Sequence, residues 1–355
     1  MNVAAAEFPF GRAKNLPAMP ASFDALLIVS FGGPEGRDDV IPFLENVLRG
    51  RNVPRERLLT VAEHYQRFGG VSPINEQNRR LIRALGKELS EHGPQLKIYW
   101  GNRNWHPLLR DTIQQMANDG VRSALAFVTS AYSSYSSCRQ YLENIEAARL
   151  EVGIAAPRIV KLRPFYNHPL FVEANASNVR AALDLIPRPR QANTMLLFTA
   201  HSIPQSMAVN CKYEIQLREI ARLISRSLNH LRYALVYQSR SGPPNQSWLE
   251  PDVCDELRKI KSQGITDVVI APVGFVSDHM EIIYDLDTEA RRVCDDLGLH
   301  MVRAKTVGTD PLFVKMIREL IREQIELDGR ASFVGELGQA ASQCPIDCCL
   351  AAPSK

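Results

Sequence analysis

Residues 268–289 read VVIAPVGFVSDHMEIIYDLDTE, and this one stretch carries both signals that decide the fold. VVIAPV is short, rich in β-branched residues and bounded by Gly264 and Gly274, as a buried strand is. MEIIYDLDTEARRVCDDL, which follows the SDH that comes after VVIAPVGFV, has the periodicity of a helix. A histidine and several carboxylates lie at and after this junction, the place where α/β proteins keep their functional polar groups.

The same plan recurs on both sides. Strand candidates stand at DALLIVS (24–30), LKIYWG (96–101), SALAFVT (123–129), TMLLFTA (194–200), RYALVYQ (232–238) and DVVIAPV (267–273), mostly separated by helix-length amphipathic segments. Alternating strands and helices imply parallel sheets flanked by helices. The first three strands overlay on the last three, each ending in a polar loop, so the chain reads as an α/β protein of two similar lobes facing each other. PRPRQAN (187–193) breaks the periodicity and supplies a linker. The expected division is a flexible leader at 1–22, a first lobe at 23–188 and a second at 189–309. A helix at 310–327 packs back on the lobes, and a cysteine-bearing tail fills 328–355.

A chain of 355 residues with 45% hydrophobic and 23% charged residues is ordinary for a globular protein. The net charge of +3 and scattered basic residues give no pull toward nucleic acid. Apolar runs such as ALLIVSFGG are too short to span a bilayer, and the leader lacks the apolar core of a secretory signal, so the expected location is cytoplasmic. SFGGPEG (30–36) matches neither nucleotide-binding glycine pattern, so no nucleotide is expected.

His201 follows the apolar run MLLFTA and should emerge at the edge of the sheet. Asp278, Glu281, Asp285 and Glu289 recur at helical spacing and share one face if the segment is helical, beside His279. Such a row is either a solvated face or a lined route for a divalent cation. Imidazole with carboxylate suits Fe²⁺ or Zn²⁺, and two ligands on separate elements make an open site from which a metal can be passed on.

From Phe23 to about Ile325 the chain resembles the ferrochelatases. The resemblance is carried by LLIVSFGGPE (26–35), FGGVSPIN (68–75), TAHSIP (199–204), YQSRSGPP (237–244) with Trp248, and GFVSDHMEIIYDLD (274–287). GNRNW (101–105), SSYSSCRQY (133–141) and the cysteine-rich tail look most like the actinobacterial type, the coproporphyrin III ferrochelatases. The resemblance implies two Rossmann-like, chelatase-type lobes clasping a porphyrin and inserting Fe²⁺ into it in haem biosynthesis. The expected partners are porphyrin and ferrous iron, and the expected state is a monomer or weak homodimer. Protoporphyrin IX is the alternative substrate, and a non-catalytic haem- or metal-binding protein the alternative class.

The site residues follow from the same resemblance. His201 is expected to be metal ligand and proton acceptor, largely neutral near pH 7 at its ordinary pKa of ~6.5. Glu281 is its partner, His279 and Asp278 support the two, and Asp285 and Glu289 lead metal or protons inward. Phe31, Ser72, Tyr141 and Arg49 are expected around the porphyrin, with Ser72 alternatively capping the helix after it. Phe31 stands where some relatives have tyrosine. Cys138, Cys344, Cys348 and Cys349 are expected to hold a 2Fe-2S cluster, against a zinc site or a tail of free thiols.

Overall fold

Among the described residues, eight short strands, each parallel to its neighbours, form two four-stranded sheets with the same internal order. The structure is a computed structural model that describes residues 22–50, 53–242, 245–326, 329–342, 344–345 and 347–351, so all of the expected leader but Ser22 lies outside the described residues. The first part runs β1 (Ala25–Ser30), α1 (Val40–Val47), α2 (Arg55–Arg67), α3 (Ile74–His92), β2 (Lys97–Asn102), α4 (Leu109–Asn118), β3 (Ser123–Val128), α5 (Gln140–Val152), β4 (Arg158–Lys161) and α6 (Pro169–Leu183). The second runs α7 (Arg188–Gln191), β5 (Met195–His201), α8 (Gln205–Ala208), α9 (Tyr213–Ser227), β6 (Tyr233–Gln238), α10 (Val253–Ser262), β7 (Asp267–Ala271), α11 (Met280–Tyr284), α12 (Arg291–Leu297), β8 (His300–Arg303) and α13 (Pro311–Ile325).

The sheets are ordered β2-β1-β3-β4 and β6-β5-β7-β8. Their inner strands are mostly apolar because helices cover both faces: all of ALLIVS in β1 and DVVIA in β7 is buried. The six expected strands are present within a residue or two. Two more, β4 (RIVK) and β8 (HMVR), complete the edges. At four residues apiece, half of them polar, they carry too little pattern to be read as strands.

One core cluster joins the lobes, with Leu26, Ile28 and Phe127 of the first sheet and Leu196, Phe198 and Val269 of the second. α13, capped by Asp310 through the Leu312 N–H at 2.8 Å and opened by Pro311, packs on both α3 and α6. α6 in turn lies against α9, β7 and β8. The Tyr132 hydroxyl donates to the Val273 carbonyl at 2.6 Å across the lobe interface. No helix among the described residues is long and apolar enough to cross a membrane.

The expected single helix after β7 is divided. α11 and α12 are separated by a π-helical segment, Asp285–Ala290. The Thr288 hydroxyl donates to the Ile283 carbonyl five residues earlier at 3.1 Å, serving a carbonyl inside this loosened stretch.

Candidate active site

His201 is the last residue of β5 and lies in register with Gln238, the last of β6. The strand therefore delivers its imidazole to the carboxyl edge of the second sheet, as the sequence implied. Glu281, in the first turn of α11, points back toward it, with Nε2 of His201 3.5 Å from Oε1. His279 caps α11, its Nδ1 accepting from the Glu281 N–H at 3.2 Å, while its Nε2 stands 3.8 Å from Glu281 Oε2. One carboxylate thus lies between two imidazoles.

The electrostatics of the pair differ from expectation. Burial works against a charged His201, but the Glu281 carboxylate, its hydrogen bond and the Ser202 carbonyl outweigh it and bring the imidazole up to about 9. Glu281, disfavoured by burial but held by His201, goes down to about 2. The resting pair is an imidazolium and a carboxylate, not the largely neutral histidine that the free residue would be. His279 goes the other way, burial keeping it neutral.

Asp285 begins the π segment. The Ser239 hydroxyl donates to its Oδ2, and Gln238 Nε2 approaches the same oxygen at 3.4 Å while donating to the Glu281 carbonyl at 3.1 Å. Ser239 holds a left-handed backbone (φ 63°) to make this contact. Burial, with repulsion from Glu281 and Glu289, pushes Asp285 up to about 7 despite the serine. Glu289, exposed at the outer end of the row, is also raised, first by burial and then by Asp252. Geometry explains the alignment. An α-helix advances about 100° per residue, so Glu281 to Asp285 drifts one way. A wider π turn, at roughly 80° per residue, returns Asp285 to Glu289 by a similar amount.

Asp278 is not part of this row. It precedes α11 and faces Arg303 Nη1 at 3.1 Å and the Thr306 hydroxyl at 3.2 Å, while its charge still acts on His279. Ser72 is buried behind Gly33, where a Cβ on the glycine would stand 2.6 Å from its own, and the N-cap of α3 is Pro73 rather than Ser72. Arg49 is exposed at the end of α1, hydrogen-bonded to Asn46 at 2.6 Å. Phe31 packs edge-on to Phe43 at 6.2 Å, and buried Tyr141 lies under the Arg103 guanidinium at 4.5 Å, which also covers Phe31 at 5.8 Å.

Several site residues escaped the sequence reading. Tyr65 of α2 and Tyr213 of α9, which it did not single out, are raised by burial together with the expected Tyr141 of α5, and the Glu281 charge adds to each. The Tyr213 hydroxyl donates to the His201 carbonyl at 3.0 Å. Gln238 and Ser239 were visible as the polar end of a strand, but nothing local marked them as partners of Asp285. Among the described residues no three His, Cys, Asp or Glu side chains already stand as a metal-binding group.

The model of the ferrochelatase family matches residues 23–325. The chain belongs to the ferrochelatase family. A ferrochelatase of Rhodopirellula baltica is 55% identical over 94% of this chain and 95% of its own length. A coproporphyrin III ferrochelatase of Nocardia farcinica is 51% identical over 87% of this chain and 89% of its own. Among solved structures, a sirohydrochlorin chelatase of Bacillus subtilis in complex with cobalt superposes with a TM-score of 0.51 at 12% identity, covering 88% of this chain and 100% of that one, a likeness of fold alone. The two-lobe architecture is therefore the chelatase fold, and the family assignment comes from the sequence match.

Proposed function

We propose that this ferrochelatase inserts Fe²⁺ into coproporphyrin III to give coprohaem in haem biosynthesis, with His201 and Glu281 at the reacting face. The observation that carries the reading is the His201–Glu281 contact at 3.5 Å, between groups on separate elements, with Asp285 and Glu289 extending from it toward solvent. Metallation replaces two pyrrole N–H protons by one divalent cation, so the site must take protons while it presents ligands. The resting pair already holds one proton on His201. Asp285, near neutrality in its proton affinity, is suited to take it and pass it by way of Glu289 to solvent, which leaves His201 neutral to accept the two pyrrole protons in turn, each leaving by the same row as Fe²⁺ takes their place. Phe31, Tyr141 and Arg103 form the first-lobe wall for the macrocycle, Ser72 supports that wall through Gly33, and Arg49 supplies a positive charge at the rim.

Coproporphyrin III carries a propionate on every pyrrole ring, and the relatives bearing its name support it over protoporphyrin IX. Anaerobic incubation with Fe²⁺ and both porphyrins in competition, read by product mass and absorbance, tests the choice. Iron coproporphyrin as main product is expected. Preferential protohaem overturns the substrate, and no metallated product overturns the activity.

The proposal extends to a 2Fe-2S cluster on Cys138, Cys344, Cys348 and Cys349. Two close thiol pairs support this reading: Cys138 is raised first by its hydrogen bond with Cys344, which is itself lowered by that bond. Cys348 Sγ is 3.5 Å from Cys349 Sγ, and Arg139 Nη1 donates to the Cys348 carbonyl at 3.2 Å, tying the tail beside Cys138. When bound, such a cluster would supply thiolate cross-linking of the tail to the first lobe.

A further inference from the structure

Arg303, the last residue of β8, grips the acidic segment at two points. Its Nη1 is 3.1 Å from Asp278 Oδ1, and its Nε is 2.6 Å from Asp287 Oδ1. Asp278 directly precedes His279, and Asp287 lies in the π segment between Asp285 and Glu289. One guanidinium therefore holds both ends of the stretch that bears Glu281 and Asp285, two residues short of Glu289. Only 17% of its side chain is exposed, so the contacts are largely withdrawn from water.

The rest of the clamp is neutral. The Thr306 hydroxyl donates to Asp278 Oδ1 at 3.2 Å, and the Asp278 N–H donates to Gln77 Oε1 of α3 at 2.8 Å, so the first lobe also holds this end. The other end has less support. A π segment is rare and gives way to the regular α-helix unless its surroundings hold it. Reversion there would rotate Asp285 and Glu289 relative to Glu281. Within the segment Asp287 pairs directly with a cation, and Arg303 presents its planar fork to it and to Asp278 at once.

We propose that Arg303 is a positioning residue for iron delivery: it locks the π register so that Glu281, Asp285 and Glu289 stay in one row, while leaving the porphyrin wall untouched. The inference rests on the reading of that row as the iron route. It separates two things that a residue of general structural importance would change together.

The test compares the full-length protein with Arg303→Met, Arg303→Lys and Asp287→Asn. Iron and coproporphyrin III are varied independently, and porphyrin binding is titrated by fluorescence. Arg303→Met should raise KM for Fe²⁺ by about 10- to 100-fold, the usual scale for residues that orient metal-binding groups, with porphyrin binding unchanged. Arg303→Lys, a point charge able to serve one carboxylate well, should fall between, and Asp287→Asn should follow it. Hydrogen exchange should quicken over 279–290 in Arg303→Met and stay unchanged in β5 and β7. Unchanged iron dependence in Arg303→Met, or equal losses in iron and porphyrin binding, overturns the proposal. If the unmodified protein does not metallate, the activity reading fails, and the exchange comparison still decides whether Arg303 holds the segment.

Discussion

The two lobes have the same strand order and opposite chemistry at their edges. In the first, β1 and β2 end at the uncharged Ser30 and Asn102, and Asn102 belongs to a network of neutral amides. Asn102 Nδ2 reaches Asn75 Oδ1 at 3.3 Å and the His106 carbonyl at 3.0 Å, while Asn75 Nδ2 donates to the Gly33 carbonyl at 3.1 Å. In the second, the matching strands β5 and β6 end at His201 and Gln238, which face Glu281 and Asp285. A repeated fold fixes where side chains emerge and leaves their chemistry free. One lobe has become a wall of aromatic and amide groups, and the other a proton and metal relay.

The largest effect expected from this division is at His201. His201→Ala removes the nitrogen from the reacting face and should lower turnover by at least about 100-fold, the scale for a general acid or base, with porphyrin still bound. Near-normal turnover would break the contrast between the lobes. Glu281→Gln should be almost as severe, and it has a distinct signature. Losing the carboxylate leaves burial as the dominant influence on His201, so its imidazole should titrate well below the value of about 9 in the intact pair. Imidazole NMR against pH reads this directly. An unchanged titration would mean that Glu281 does not hold the proton.

Asp285 and Glu289 sharpen the comparison further, because delivery and bond making should separate within the second lobe. Asp285→Asn and Glu289→Gln should raise KM for Fe²⁺ more than they lower kcat. The pH dependence gives the sign: protons compete with the cation, so apparent iron affinity should rise as pH increases through about 7, where Asp285 ionises. Asp285→Asn should lose that rise. If both variants keep the original metal and pH dependence, the row is a solvated face.

How far the sequence reached follows the same physics. Long apolar strands and the His201 and Glu281 positions were legible because local patterns report them. β4 and β8 were not, being short edge strands, and Arg303 at the end of β8 was lost with its strand. The π segment was hidden because its spacing of carboxylates is that of an α-helix. The protonation of His201 depends on a residue 80 positions away, a distance at which no local pattern operates. Asp278 shared the helical spacing of the acidic row but sits before the helix, where an extended backbone turns it to Arg303.

The smallest effect on catalysis is expected in the tail, which is where the sequence read least. Residues 332–338 showed no apolar pattern, yet they are bolted down by polar contacts with both lobes. Buried Arg163 pairs with Glu323 at 2.7 Å and donates to the Ser332 carbonyl at 2.8 Å. Asn167 pairs its backbone and amide with Val334 and Gly338, and Glu219 of α9 accepts from the Glu336 N–H at 2.7 Å. The cysteines are therefore not the only attachment. Protein isolated without oxygen should be red-brown and hold about two irons and two sulfides per chain, as a 2Fe-2S cluster requires. Cys138→Ser should bleach it and speed hydrogen exchange from Cys344 onward, while 332–338 stay protected and most turnover survives. A Cys138→Ser protein that keeps the full cluster spectrum would refute the ligand set. Loss of protection across 332–338 would show that the thiols, rather than Arg163, Asn167 and Glu219, hold the tail in place.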